Sequence, residues 1–260
     1  MHRQNAAIEI AACTDTGLSR DHNEDCLGFD INSGIAVLAD GMGGHQSGEI
    51  ASRMAVEQVL RQLKYLLLEQ SNRPITSSQM LELVSNTISA SNRTIFEASG
   101  RLSSRQGMGT TVVAAVIKGS QLYAGHVGDS RLYLLRDGTL KKITRDHSLV
   151  QDLIDKGFYT EDEAKQASVS HVVTRALGTA DNVEIDMLQQ ETEQNDLFLL
   201  CSDGLTDMLS DSTIAQALNQ HEMDLDEKAQ NLVVQANEQG GRDNVSVLLI
   251  RVRSCESIGE

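Results

Sequence analysis

The chain is poor in proline, aromatic residues and positive charge. Its 260 residues include one proline, Pro74, no tryptophan and an aromatic share of only 3%. With so few rings, the core has to be built from Leu, Val, Ile, Ala and Met, within an apolar share of 40%. No Pro/Ser/Gly-rich linker, internal repeat or low-complexity tract interrupts the sequence, which predicts one domain over 1–253 and a frayed tail at 254–260. Twenty-two bases stand against 37 acids, a net charge of −15. That balance repels a phosphate backbone and argues against nucleic-acid binding. Spread over a surface, the same acidity keeps a protein soluble. Long apolar runs are missing: Val112–Ile117 falls far short of the roughly 20 residues that span a bilayer. No long apolar stretch follows the basic residues of the N-terminus. The four cysteines, Cys13, Cys26, Cys201 and Cys255, form no CxxC pair, so reduced thiols in a cytoplasmic protein are expected, with neither membrane nor disulfide framework.

Short apolar or β-branched runs alternate with two long amphipathic ones. Residues 8–14, 26–31 and 35–39 predict strands, with Asp15 to Asp25 as a loop between the first two. Ile50, Met54, Val59, Leu60, Leu63 and Leu67 recur at helical spacing between Gly48 and Gln70. A second helix starts near Thr76-Ser77-Ser78-Gln79, a capping-box spacing, and ends before Gly100. Thr110–Lys118, Gln121–Val127 and Arg131–Arg136 read as strands, and their very short connections predict an antiparallel meander. Residues 147–170 are polar and helical in character, an excursion from the sheet with a further capping box at Thr160-Glu161-Asp162-Glu163. A strand at 196–201, helices near 211–220 and 225–239, and a strand at 245–252 complete the series. Strands in runs and helices in pairs predict an α+β fold of antiparallel sheets covered by helices.

Acidic residues stand where predicted strands stop or start. Ile35–Ala39 runs into Asp40-Gly41-Met42-Gly43-Gly44, Leu197–Cys201 into Ser202-Asp203-Gly204, and Arg242-Asp243-Asn244 leads into Val245–Ile250. A strand fixes where its last residue points, and a following Gly lets the backbone turn at once. Carboxylates held that way suit hard divalent cations, which need several oxygen ligands. Asp21, Asn23 and Asp25 imitate the start of a calcium loop, but Cys26 and Asn32 stand where Gly and Glu are required. The Gly-rich turn after Asp40 lacks the Gly-Lys-Ser/Thr end of a P-loop. No Gly-x-Ser-x-Gly elbow, His-Glu-x-x-His helix or Cys beside a base motif is present. A hydrolase without a side-chain nucleophile has to use water, which metal ions activate by lowering its pKa.

The ordered series Arg20-x-x-Asn23-Glu24-Asp25, Asp40-Gly41-Met42-Gly43-Gly44, Gly107-Met108-Gly109-Thr110-Thr111, Gly128-Asp129-Ser130-Arg131, Asp146-His147-Ser148, Ser202-Asp203-Gly204 and Arg242-Asp243-Asn244 resembles the metal-dependent protein phosphatases of the 2C type, in their compact bacterial branch. The resemblance covers about residues 8 to 252. It implies a four-layer α/β/β/α sandwich, two central antiparallel β-sheets flanked by helix pairs. It implies a centre of two manganese or magnesium ions, with room for a weaker third. Asp40 would bridge both ions, the Gly41 carbonyl would hold one, and Asp203 and Asp243 the other. Glu24 and Asp25 would be ligands or partners through water, and Asp129 with Asp203 would hold the third ion. Arg20 would grip the substrate phosphate, which its planar fork suits. The implied reaction is direct attack of a metal-bridging water on a phosphomonoester of a Ser/Thr phosphoprotein, opposing a partner Ser/Thr kinase, by a monomer. Eukaryotic members carry a His just after the Asp-Gly pair as candidate general acid. Met42 stands there and cannot donate a proton, leaving metal-held water or His45. The 147–170 excursion corresponds to a variable flap beside the active site. Two other readings of the same fold stay open: a catalytically silent binding module, and a phosphatase dedicated to one regulatory partner such as an anti-anti-sigma factor.

Overall fold

The computed structural model describes residues 3–4, 7–43, 47–70, 74–101, 107–160, 163 and 172–253. Its strands are β1 (Arg3–Gln4), β2 (Ile8–Asp15), β3 (Asp25–Asp30), β4 (Ile35–Met42), β5 (Gly109–Thr110), β6 (Val112–Lys118), β7 (Gln121–Val127), β8 (Arg131–Arg136), β9 (Thr139–Lys142), β10 (Asp186–Glu191), β11 (Leu197–Cys201) and β12 (Val245–Val252). Its helices are α1 (Ser47–Glu69), α2 (Ser77–Arg101), α3 (Leu149–Asp155), α4 (Asp203–Thr206), α5 (Asp211–Leu218) and α6 (Leu225–Glu238).

The strands form two sheets. One has the order β1-β2-β12-β11-β8-β9; the other runs β10-β7-β6-β4-β3, with β5 paired to β4. Every pairing is antiparallel. The period-2 geometry of a strand explains why the central strands read as unbroken apolar runs. On β4, Ile35, Val37 and Ala39 face α1 and α2, while Ala36 and Leu38 face the opposite sheet. On β12, Val245, Val247 and Leu249 face α5 and α6, and Leu248, Ile250 and Val252 face inward. Three cores result: helices on sheet, sheet on sheet, and sheet on helices. That is the expected α/β/β/α sandwich. Leu38, Leu132, Phe198 and Leu248 are fully buried between the sheets, each contributing roughly 2 kcal/mol of apolar burial.

Both predicted long helices are present, and the Thr76 capping box has its two bonds, Thr76 N–H to Gln79 Oε1 at 3.0 Å and Gln79 N–H to Thr76 Oγ1 at 3.3 Å. The N-terminal end of α1 presses on the end of β4: a Cβ on Gly41 would lie 2.2 Å from the Gly48 carbonyl oxygen, so neither position tolerates a side chain.

The predicted meander over 110–136 is incorrect. β6 and β7 pair, but β8 leaves for the other sheet, where it lies between β11 and β9. The free edge of β7 is taken instead by β10, a polar, half-exposed strand that its sequence does not announce. Gly128-Asp129-Ser130 is therefore a crossing between sheets and not a hairpin turn. The short elements β1, β5, β9 and α4 were also unpredicted. In the 147–170 excursion, α3 is capped by Ser148, and Thr160 and Glu163 make both capping-box bonds, at 2.8 and 3.3 Å. Residues 161–162 and 164–171, like the predicted tail 254–260, lie outside the described residues.

Candidate metal centre

One end of the sandwich gathers the strand-terminal acids. Asp40 lies near the end of β4 and is the register partner of Asp25 at the start of β3. Asp203 opens α4 two residues past the end of β11, Asp243 stands two residues before β12, and Asp129 sits in the crossing from β7 to β8. Arg20 and Glu24 come from the loop between β2 and β3. Arg20, Glu24, Asp40, Gly41, Asp129, Asp203 and Asp243 all line one open cleft of about 790 Å³. Asp25 lies behind its wall, 9% exposed. The structure thus brings together every acid assigned to the implied metal centre, whereas Asp146 is held by Arg131 and does not line the cleft.

A layer of neutral hydrogen-bonding groups holds these acids. The Asn244 side chain donates to the carbonyls of Thr16 and His22, both at 2.9 Å, and accepts the Glu24 N–H at 2.8 Å. One amide thus fastens the loop carrying Arg20 and Glu24 to the start of β12. Ser202 Oγ donates to Asp25 Oδ2 at 2.8 Å and accepts the Ser246 N–H at 3.0 Å. Thr111 Oγ1 accepts the Asp40 N–H at 3.0 Å and lies 2.7 Å from Ser130 Oγ. Thr110 Oγ1 donates to the Asp40 carbonyl at 2.8 Å. Arg20 Nη2 donates to Asp243 Oδ2 at 2.6 Å. Sequence reasoning assigned no role to Asn244, Ser202 or Thr111. Their signal was adjacency, since each stands within or beside a motif that carries an acid. We expect Asn244→Ala to lower unfolding free energy by about 2–3 kcal/mol, because three backbone groups lose their partner. Denaturant melts of the metal-free protein check this.

Packed together, Asp40, Asp25, Asp129 and Glu24 resist ionisation. Asp40 is pushed well above the usual range, first by burial and then by the charges of Asp25, Asp203, Asp129 and Asp243. Burial raises Asp25 to about 7 although Ser246 and Ser202 donate to it. Asp129 is raised to about 8 by burial and by Asp203 and Asp146. Burial also raises Glu24, against the pull of Arg20. Such a cluster is short of positive charge, and Asp25 Oδ1 is buried with no hydrogen-bond partner. All donors are hard oxygens from several strand ends. The set fits manganese or magnesium, which take oxygen ligands and carry the missing charge.

Outside this cleft, His126, His147 and Asp186 offer ligand atoms within 4.8 Å of one another. Arg175 stands among them, donating to Asp186 Oδ1 at 2.8 Å and 3.2 Å from His147 Nε2. A guanidinium already supplies the cation there. Met42 lines the acidic cleft as the sequence suggested. His45, the side-chain candidate for proton donor, lies outside the described residues.

Comparison with known proteins agrees with this arrangement. The family described as protein phosphatase 2C matches residues 18–243. A serine/threonine phosphatase, Stp, of Listeria monocytogenes is 38% identical over 240 residues, covering 91% of this chain and 93% of that protein. The serine/threonine protein phosphatase PstP of Mycobacterium tuberculosis is 38% identical over 252 residues, covering 97% of this chain and 46% of PstP. Among solved structures, the catalytic domain of PstP in complex with two manganese ions superposes with a TM-score of 0.82 at 37% identity, covering 95% of this chain and 99% of that one.

Proposed function

This chain belongs to the protein phosphatase 2C family, and we propose that it hydrolyses phosphoserine and phosphothreonine in proteins, with manganese or magnesium held by the strand-terminal acids. The observation that carries this reading is the meeting of Asp40, Asp203 and Asp243 with Arg20 at one cleft, from four separate segments of the chain. Asp40, the Gly41 carbonyl, Asp203 and Asp243 would hold the two ions, with Glu24 and Asp25 supporting them, and Asp129 with Asp203 would hold a weaker third. When bound, the ions lower the pKa of water and neutralise charge on a phosphoryl group.

The chain's own residues do the rest. Arg20 is anchored through one nitrogen on Asp243, and its side chain remains 52% exposed. It can therefore present a guanidinium edge to the oxygens of a phosphomonoester. The Asn244 clamp fixes the loop that carries it, so the grip is set before substrate arrives. Ser202 and Thr111 hold Asp25 and the backbone of Asp40, limiting reorganisation as charge develops. Among the described residues, the cleft has no Ser, Cys or His placed as a nucleophile beside a base, which supports direct displacement by water over a covalent phosphoenzyme. An open mouth suits a phosphorylated side chain standing on a protein surface. We read the partner as a Ser/Thr kinase whose marks this enzyme removes. The free thiols Cys13, Cys26 and Cys201 suit a cytoplasmic location. One catalytic domain over 1–253 is the corresponding reading of the chain. A silent binding module is disfavoured, because the acids such a module has no use for are all present.

Arg20→Ala should lower kcat/KM for a phosphothreonine peptide by about 10- to 100-fold, the size of a lost charge-assisted contact, with most of the loss in KM. Manganese stoichiometry should stay as in the wild type. An unchanged KM would remove Arg20 from phosphate binding.

A further inference from the structure

His147 is 1% exposed and lies outside the acidic cleft, yet it clasps the residue before Asp129 twice. Its N–H donates to the Gly128 carbonyl at 2.9 Å, and its Nδ1 accepts the Gly128 N–H at 3.1 Å. Accepting at Nδ1 puts the proton of a neutral ring on Nε2, which faces Asp186 Oδ2 at 3.3 Å. Asp186 in turn accepts from Arg175 at 2.8 Å. The ring stacks on His126 with centroids 4.5 Å apart, and His126 Nε2 is held by the Arg145 carbonyl at 2.9 Å. Orientation and tautomer of His147 are therefore both fixed.

The held residue is a demanding one. Gly128 has φ of +106°, and a Cβ there would meet Thr111 Cγ2 at 2.6 Å. Thr111 is the residue that accepts the Asp40 N–H. The Gly128 peptide is thus pinned between the support of Asp40 and the imidazole, and it sets the direction in which Asp129 leaves β7.

The other side of His147 reaches the cleft mouth. Its carbonyl accepts the Thr174 N–H at 2.8 Å, the Leu149 N–H donates to the Val172 carbonyl at 2.8 Å, and Ser148 bridges Val173 as an antiparallel pair. Val173 itself lines the cleft. The segment 172–175, where the chain returns from the flap, is stitched to the same residue that holds Gly128.

We propose that His147 is a positioning residue that couples the flap-return segment 172–175 to Asp129, through Nδ1 on the Gly128 amide. The proposal rests on the phosphatase reading of the cleft with Asp129 as the position for a weaker cation. Substrate contacts at Val173 and cation binding at Asp129 then bias one another, so occupancy of the weaker site responds to what lies across the cleft mouth.

Two substitutions separate this role from mere packing. His147→Asn keeps an acceptor close to Nδ1, whereas His147→Gln keeps a donor reaching toward Asp186 but loses that acceptor. In the full chain, three quantities are measured: amide exchange of Gly128 in metal-free protein by NMR, manganese binding from the free-ion electron paramagnetic resonance signal, and manganese activation of phosphopeptide hydrolysis. In His147→Gln, Gly128 should exchange about tenfold faster and the weakest class of manganese sites should lose about tenfold in affinity, the size of one hydrogen bond. His147→Asn should stay within about twofold of wild type on both, since its hydrogen bond is kept. The two variants behaving alike, or His147→Gln binding manganese as the wild type does, overturns the proposal. Asp186→Ala, which removes the acceptor of the Nε2 proton from a partly exposed position, serves if His147→Gln fails to fold. It should speed Gly128 exchange in the same direction, and an unchanged rate overturns the proposal. Asp129→Asn separates the two levels. If it leaves manganese binding unaltered, the assignment of Asp129 fails and the coupling falls at its premise. If it weakens binding while His147→Gln does not, only the coupling is wrong.

Discussion

Asp40→Asn is expected to reduce manganese-dependent hydrolysis of p-nitrophenyl phosphate by a thousandfold or more, a loss of about 4 kcal/mol of transition-state stabilisation. The same substitution should raise the melting temperature of the metal-free protein. Asp40 faces Asp25, Asp203, Asp129 and Asp243, and burial and those charges together oppose its ionisation. An amide of the same shape carries no charge and takes up no proton there, and the remaining carboxylates can accept its hydrogens. Relief of about 1–3 kcal/mol corresponds to several degrees for a chain of this size. Activity and apo stability therefore move in opposite directions. A structural role for Asp40 predicts that both fall. Calorimetry in EDTA beside the activity assay distinguishes the two.

The second large effect is on metal removal. EDTA should abolish turnover, and manganese at a hundred times its dissociation constant should stabilise the fold by about 2.7 kcal/mol per site. The pH dependence of the metal-free state has a definite sign. Asp25 is raised to about 7 and Asp129 to about 8, both mainly by burial, and Asp40 is raised as well. Carboxylates with folded pKa values above their unfolded ones bind more protons in the native state, so stability falls as pH rises through the folded values. Each such group contributes a slope of at most about 1.4 kcal/mol per pH unit in that window. The apo melting temperature should thus drop between pH 6 and pH 8.5. With saturating manganese the slope should vanish or reverse, because the ligands are then deprotonated and metal binding weakens toward acid. Differential scanning calorimetry across that range, with and without manganese, measures both arms.

The central strands could be read from sequence because they are apolar on both faces. β4, β11 and β12 are buried nearly throughout, and no other element type makes such short uninterrupted runs between turns. The crossing at Gly128–Ser130 could not. A three-residue connection between two apolar strands looks the same whether it closes a hairpin or leads to another sheet. What decides the matter is β10, which pairs with β7 along its length although Asp186–Glu191 carries little apolar signal. Asp40, Asp203 and Asp243 were legible for a local reason: each stands by a strand end with a glycine or asparagine next to it. Their supports were not, because Asn244 works on carbonyls more than 220 residues away in sequence. His147 belongs with the supports. Its motif stood out, but its partner Gly128 is reached only through the fold.

Anomalous diffraction from crystals soaked in manganese tests the central claim most directly. Two strong peaks in direct coordination distance of the Asp40 carboxylate, one of them shared with Asp203 and Asp243, are the predicted result. Manganese missing from that cleft, or bound instead among His126, His147 and Asp186, would contradict it.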